Sequence, residues 1–218
     1  MAAGAESPRE RYRSQVRAEI KARAWEQIAT AGASGLSLNA IAKELGMSGP
    51  ALYRYFAGRD ELITALIRDA YRGLADTFRA VAESGSGPEG LAHALRGWAL
   101  EDPQRYFLVY GTPVPGYHAP DDITAIAKEI MSSLLDVCAA AWTEAGTPAA
   151  DALVTHLADH RQWADGHPAS AGVLRRALLF WTRLHGALSL ELAGHFSGMG
   201  FDPELLFAAE ADELAATP

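Results

Sequence analysis

Apolar positions recur every four residues through "RERYRSQVRAEIKARAWEQIATAG": Val16, Ile20, Ala24 and Ile28 share one face, Arg and Glu fill the intervals, and the run stops at Gly32. That period predicts an amphipathic helix. In "SLNAIAKELG" it continues over a shorter helix, with Ser37 placed as N-cap and with Leu36 and Ile41 on either side of it as a hydrophobic staple. Gly46 then supplies a tight turn, Ser48 caps a second short helix through about Tyr55, and Gly58 opens a long helix over "RDELITALIRDAYRGLADTFRAVAES". Two short helices joined across a glycine and flanked by longer ones form the pattern of a helix-turn-helix.

Beyond this point "GSGPEG" (85–90) matches the dinucleotide glycine fingerprint in letters only. It follows a helical run rather than a strand and contains a proline, so it reads as a linker. Helices are expected over 91–101, 123–145, 149–164 and 171–196, and a last one starts at Asp202 and Pro203. Between the first two, "RYFLVYGTPVPGYHAP" carries Pro113, Pro115 and Pro120 and reads as an extended loop after a break at Pro103. No β-alternation and no internal repeat is visible, which predicts an all-α protein. The expected organisation is a disordered tail over 1–8, a helix-turn-helix domain over 9–57, a connecting helix over 58–82 and a larger helical domain over 83–218.

Composition changes this picture in one respect. The net charge of −8 disfavours a polyanionic partner for the chain as a whole, yet residues 1–72 carry eleven Lys/Arg against eight Asp/Glu, and residues 73–218 carry eight against nineteen. The first part can approach an anion and the second cannot. With 218 residues, 49% of them hydrophobic, a sizeable core is available. No apolar run has membrane-spanning length and the N-terminus lacks a secretory apolar segment, so a cytoplasmic protein without a membrane partner is expected. Cys138, the single cysteine, sits among apolar neighbours and reads as an inert core thiol.

Residues 9–62 resemble the DNA-binding domain of TetR-family transcriptional regulators. The family pattern Thr-x-x-x-Ile-Ala, then Gly-Val-Ser-x-x-x-Leu-Tyr-x-His-Phe-x-x-Lys, stands here as Ser37, Ile41, Ala42, Gly46, Met47, Ser48, Leu52, Tyr53, Tyr55, Phe56 and Arg59. Tyr55 replaces the usual His, Arg59 the Lys and Met47 the Val. "FWTRLHGALSLELAGHF" (180–196) is similar to the Trp-His-Gly type of C-terminal domain found in part of the family. The resemblance implies a homodimeric repressor that binds an inverted-repeat operator in double-stranded DNA and is released by a small molecule. A recognition helix entering the major groove by its N-terminal end would bring Ser48, Gly49 and Pro50 nearest the bases. Arg54 suits a guanine edge or a phosphate, Tyr53, Tyr55 and Arg59 suit phosphates, and Ser37 and Asn39 open a helix whose free N–H groups favour one. The arginines of "RERYRSQVR" could be a solvated face or phosphate contacts.

The acidic part is expected to carry regulation and assembly. Over 171–196, Leu174, Ala177, Leu178, Trp181, Leu184, Leu188 and Leu192 form one apolar stripe, while Leu179, Gly186, Leu190 and Ala193 form a second. A helix apolar on two faces needs two partners, either within one chain or as a dimer contact, and the family answer is a homodimer built by the last two helices, here with Leu205 and Leu206. Candidate ligand-contacting side chains are Trp98, Tyr106, Tyr110, Tyr117, His118, Met131, Trp142, Trp163, Trp181 and His185; their helical spacing suits a core equally well. His156 and His160 lie one turn apart without a third ligand, so no metal is expected. Neither a catalytic constellation nor a cofactor motif is present. An enzyme tethered to DNA and a constitutive DNA binder are the competing readings.

Overall fold

A computed structural model describes residues 7–114, 116–142 and 152–216. Among them the chain forms ten α-helices and no strand, the all-α class that the periodicity predicts. The helices are α1 (Pro8–Ala31), α2 (Leu38–Glu44), α3 (Gly49–Leu52), α4 (Arg59–Ser84), α5 (Gly87–Glu101), α6 (Pro103–Tyr110), α7 (Asp121–Ala141), α8 (Ala152–Asp159), α9 (Ala171–Leu192) and α10 (Pro203–Ala215). Pro115 and residues 143–151, on which part of the expected loop and two expected helix ends fall, lie outside the described residues.

Local chemistry fixes most helix starts. Ser7 and Glu10 close a capping box on α1, Ser37 caps α2 through the Ala40 N–H, Ser170 caps α9 and Asp202 caps α10, each by its side-chain oxygen. Several expectations need correction, beginning with the helix expected to run to residue 164, which ends at Asp159 as α8. The stretch read as a glycine linker is already helical from Gly87, because Pro88 suits a first turn that needs no N–H partner. "RYFLVY" is helical rather than extended, since Pro103 likewise opens α6 and the breaking prolines come only after Tyr110. And α9 ends at Leu192, where Gly194 adopts φ +76° and turns the chain before Phe196.

The chain divides into two compact units, one holding the residues up to Asp69 with Gln104–Pro120, the other Ala70–Pro103 with Asp121 onward. In the first, α1 buries Val16, Ile20, Ala24 and Ile28 beside Leu38, Ile41, Leu52, Phe56, Leu62 and Leu66. In the second, α5, α7, α9 and α10 bury Leu95, Leu134, Leu174, Phe180, Leu184, Leu188, Phe207 and Leu214. Ion pairs cross its helices: Arg96 to Glu191 (2.7 Å), Arg72 to Glu129 (2.5 Å), and Arg183 to both Glu210 (2.6 Å) and Glu213 (3.1 Å). Arg176 lies over the Trp142 ring at 4.1 Å and donates to the carbonyls of Leu214, Ala215 and Ala216, satisfying the end of α10.

Candidate nucleic-acid interface

The site begins with the turn between α2 and α3. Gly46, at φ +63°, follows the Leu45 C-cap; its N–H donates to the Lys43 carbonyl (3.2 Å) and the Met47 N–H to the Ala42 carbonyl (2.8 Å). This pair of bonds is a Schellman motif, which both ends α2 and fixes the direction in which α3 leaves. Ser37 is held from two sides: its N–H donates to Gln27 Oε1 (2.9 Å) and its Oγ accepts from the Ala40 N–H (3.3 Å). The hydroxyl proton stays available to donate outward.

Four residues make α3, and the segment that follows is turn rather than the helix expected through Tyr55. Backbone bonds from Tyr55 and Phe56 N–H both reach the Leu52 carbonyl (2.8 and 3.2 Å), tightening the chain there. Leu52 and Phe56 are fully buried and act as anchors. Ser48, Pro50, Tyr53 and Arg54 are exposed, Gly49 and Tyr55 half-buried, and Asn39 is exposed on α2. A Cβ added at Gly49 would meet only Asn39 Oδ1, at 3.9 Å, so the absent side chain there is not demanded by internal packing. Small, exposed residues at the front of a short helix, followed by an exposed Tyr-Arg pair, form a narrow protrusion able to enter a groove.

Two arginines position this protrusion. Arg17 of α1 donates to the Tyr55 carbonyl and lies over the Phe56 ring at 4.0 Å. Arg59 donates from Nη2 to the Ala33 carbonyl (2.7 Å) and lies 3.7 Å from Asp60, so the cation expected to meet a phosphate also ties the start of α4 to the loop after α1. Sequence reasoning singled out neither Arg17 nor Gln27 as a positioning residue. Their partners lie 38 and 10 residues away, and Tyr55 contributes a main-chain oxygen that leaves no trace in the letters.

The candidate ligand residues scatter. In the first unit Tyr106 is fully buried, its ring 5.4 Å from that of Tyr110; the half-buried Tyr117 hydroxyl has no hydrogen-bond partner among the described residues, and His118 is exposed with Nδ1 3.2 Å from the Gly116 carbonyl. In the second, Trp142 packs at 6.1 Å from Phe180 and donates to the Ala215 carbonyl (3.2 Å). Trp98 is buried with its Nε1 3.5 Å from where a Cβ on Gly73 would stand. Trp181 lies edge-on to Phe78 (6.0 Å) and 4.1 Å from the His185 ring. Desolvation pushes the His185 imidazole down to about 4, so it is neutral near pH 7. Met131 and Trp163 are half-buried. A cavity of about 230 Å³ opens between Ala82, Gly85, Gly87, Asp136, Val137, Ala140 and Ala141, and none of these candidates lines it. Burial pushes the Cys138 thiol up to about 12, the state of an unreactive core group.

Among the candidate dimer residues, Gly186, Leu190, Ala193 and Leu205 are exposed, while Leu179 and Leu206 are half-buried. The exposed apolar surface extends to Met199 and Phe201, which lie between α9 and α10. No group of three or more His, Cys, Asp or Glu side chains among the described residues could hold a metal ion. No helix among them is long and apolar enough to cross a membrane.

Comparison with known proteins gives a consistent result. Residues 20–66 match the profile of bacterial regulatory proteins of the tetR family, and residues 89–214 that of the tetracyclin repressor-like C-terminal domain. The HTH-type transcriptional regulators Mb1846 of Mycobacterium bovis and Rv1816 of Mycobacterium tuberculosis are each 40% identical to the chain, over 94% of it and 92% of their own length. The crystal structure of SCO4313, described as a regulatory protein, superposes with a TM-score of 0.87 at 69% identity, covering 95% of this chain and 98% of that one. A TetR/AcrR-family regulator from Thermobifida fusca shares the fold alone, at TM-score 0.56 and 15% identity over 92% of this chain and 97% of its own.

Proposed function

The chain belongs to the TetR family of helix-turn-helix transcriptional regulators, and from that premise we propose that it is a repressor, working in the cytoplasm as a homodimer on an inverted-repeat operator. The observation that carries the reading is the α3 protrusion: Ser48, Gly49 and Pro50 stand at its front, backed by buried Leu52 and Phe56. Ser48, Gly49 and Pro50 approach base edges, while Ser37, Asn39, Tyr53, Arg54, Tyr55 and the donors left on Arg59 meet phosphates. The exposed apolar residues Leu190, Met199, Phe201 and Leu205 support a second copy as the partner of α9 and α10.

Release from DNA is assigned to a small, mostly apolar ligand. The cluster of Phe78, Trp181 and neutral His185, aromatic with one polar group, supports this reading by its chemistry. A ligand releases DNA only if it binds the DNA-incompetent state more tightly; a coupling of about 1–3 kcal/mol gives a roughly 5–150-fold change. The test is reciprocity. For a compound found by tryptophan fluorescence, saturating DNA should lower its affinity by the same factor by which the compound lowers DNA affinity. An affinity unchanged by DNA would contradict the coupled mechanism.

A further inference from the structure

The first two turns of α1 have no core to cover. Every residue from Ser7 to Gln15 is exposed, and Val16 is the first buried position, so the helix runs about 12 Å beyond the packed interior at 1.5 Å per residue. Tyr12, which continues the stripe of Val16 and Ile20, is 64% exposed, marking where that interior ends. The overhang is nonetheless secured as helix. Ser7 N–H donates to Glu10 Oε2 (2.9 Å), the Glu10 N–H donates back to Ser7 Oγ (3.3 Å), and Pro8 occupies the first turn.

This segment carries Arg9, Arg11 and Arg13, and its one acid, Glu10, is engaged by the cap. Farther along the helix the cations are occupied: Arg17 by Tyr55 and Phe56, Lys21 by Asp69 (2.5 Å), Arg23 by Glu26 (2.7 Å). The guanidinium groups of Arg9, Arg11 and Arg13 make no ion pair or hydrogen bond with any described residue. Spacing separates them further. Arg9, Arg13 and Arg17 stand four residues apart and share one side of the helix, whereas Arg11 points away from it. Arg17 fixes where that side looks, because it docks on the turn bearing the exposed Tyr53 and Arg54.

Resting on the reading of α3 as the DNA-entering element, we propose that Arg9 and Arg13 grip the DNA sugar-phosphate backbone outside the base pairs that α3 reads, lengthening the phosphate footprint of each protomer by two contacts. A row of guanidinium groups without a partner among the described residues, about 6 Å apart, continuous with the interface and held on a helical overhang that no described residue covers, matches a polyanion and offers nothing to an apolar partner. Phosphates carry no sequence, so the pair adds affinity and salt dependence without changing base preference.

The test uses the full chain and a duplex selected by the wild-type protein from a random-sequence library, prepared once with about ten flanking base pairs on each side, one helical turn, and once trimmed to the selected bases. Binding is measured against salt for wild type, R11A, R9A/R13A and R9K/R13K, with circular dichroism confirming equal helicity. On the long duplex R9A/R13A should lower the slope of log K against log salt by about two per protomer, while R11A and R9K/R13K keep the wild-type slope. On the trimmed duplex all four should agree. An unchanged slope for R9A/R13A, or an equal loss with R11A, would overturn the assignment and mark the segment as diffuse surface charge. A wild-type protein that selects no duplex would overturn the α3 reading itself, a distinct failure.

Discussion

Gly49 shows how a single position separates folding from function. Because an added Cβ would lie in ordinary contact with Asn39 Oδ1 at 3.9 Å, Gly49→Ala should unfold within about 0.5 kcal/mol of wild type in urea. Its effect should instead appear in library selection, as an altered base preference. His185 makes the opposite case, a residue whose chemistry is felt in stability. Its pKa is lowered from 6.5 to about 4 in the fold, so the unfolded chain takes up the proton first. Stability from this group is complete above pH 6.5, is lost as pH falls toward 4, and is constant below. Between pH 7 and 4.5 wild type should lose about 2 kcal/mol more than His185→Phe in matched urea titrations. At this scale the sequence was informative where a side chain acts locally, as with Ser37 and its cap. It was silent where the partner is remote: Trp142 reads as a pocket aromatic, yet its indole N–H is spent on the Ala215 carbonyl and its face on Arg176.

Elements tell a similar story. The four-residue stripe of α1 and the glycine turn after α2 are visible in the letters because helix period and positive φ each demand particular residue types. The length of α3 is not, since the chain beyond Leu52 is shaped by Arg17 pulling on the Tyr55 carbonyl, a tertiary contact. Nor is α6, where a proline-rich neighbourhood hides the fact that Pro103 opens a helix as readily as it breaks one. Arg17 therefore couples α1 to the protrusion. Arg17→Ala removes a charged hydrogen bond and a ring contact, and should cost about 2 kcal/mol in chemical denaturation. It should also weaken binding to every DNA sequence alike in mobility-shift titrations, because α3 loses its fixed orientation rather than a base contact.

At the scale of the whole molecule, the proposed homodimer requires that affinity for an operator rest on two copies of α3 acting together. Leu205 is 70% and Leu190 45% exposed, an extent of apolar exposure on the last two helices that a second copy would cover. Leu205→Glu with Leu190→Glu should give a monomer by light scattering with unchanged helicity, and its binding to the selected duplex should fall at least tenfold as the second contact ceases to be intramolecular. Dimeric operator binding is tested most directly by hydroxyl-radical footprinting of the wild-type protein on that duplex, with stoichiometry measured in the same samples. A homodimer on an inverted repeat should give two protected patches, their centres about 34–36 Å apart, occupied by two protomers. A single unrepeated site, saturated at full affinity by one protomer, would contradict it.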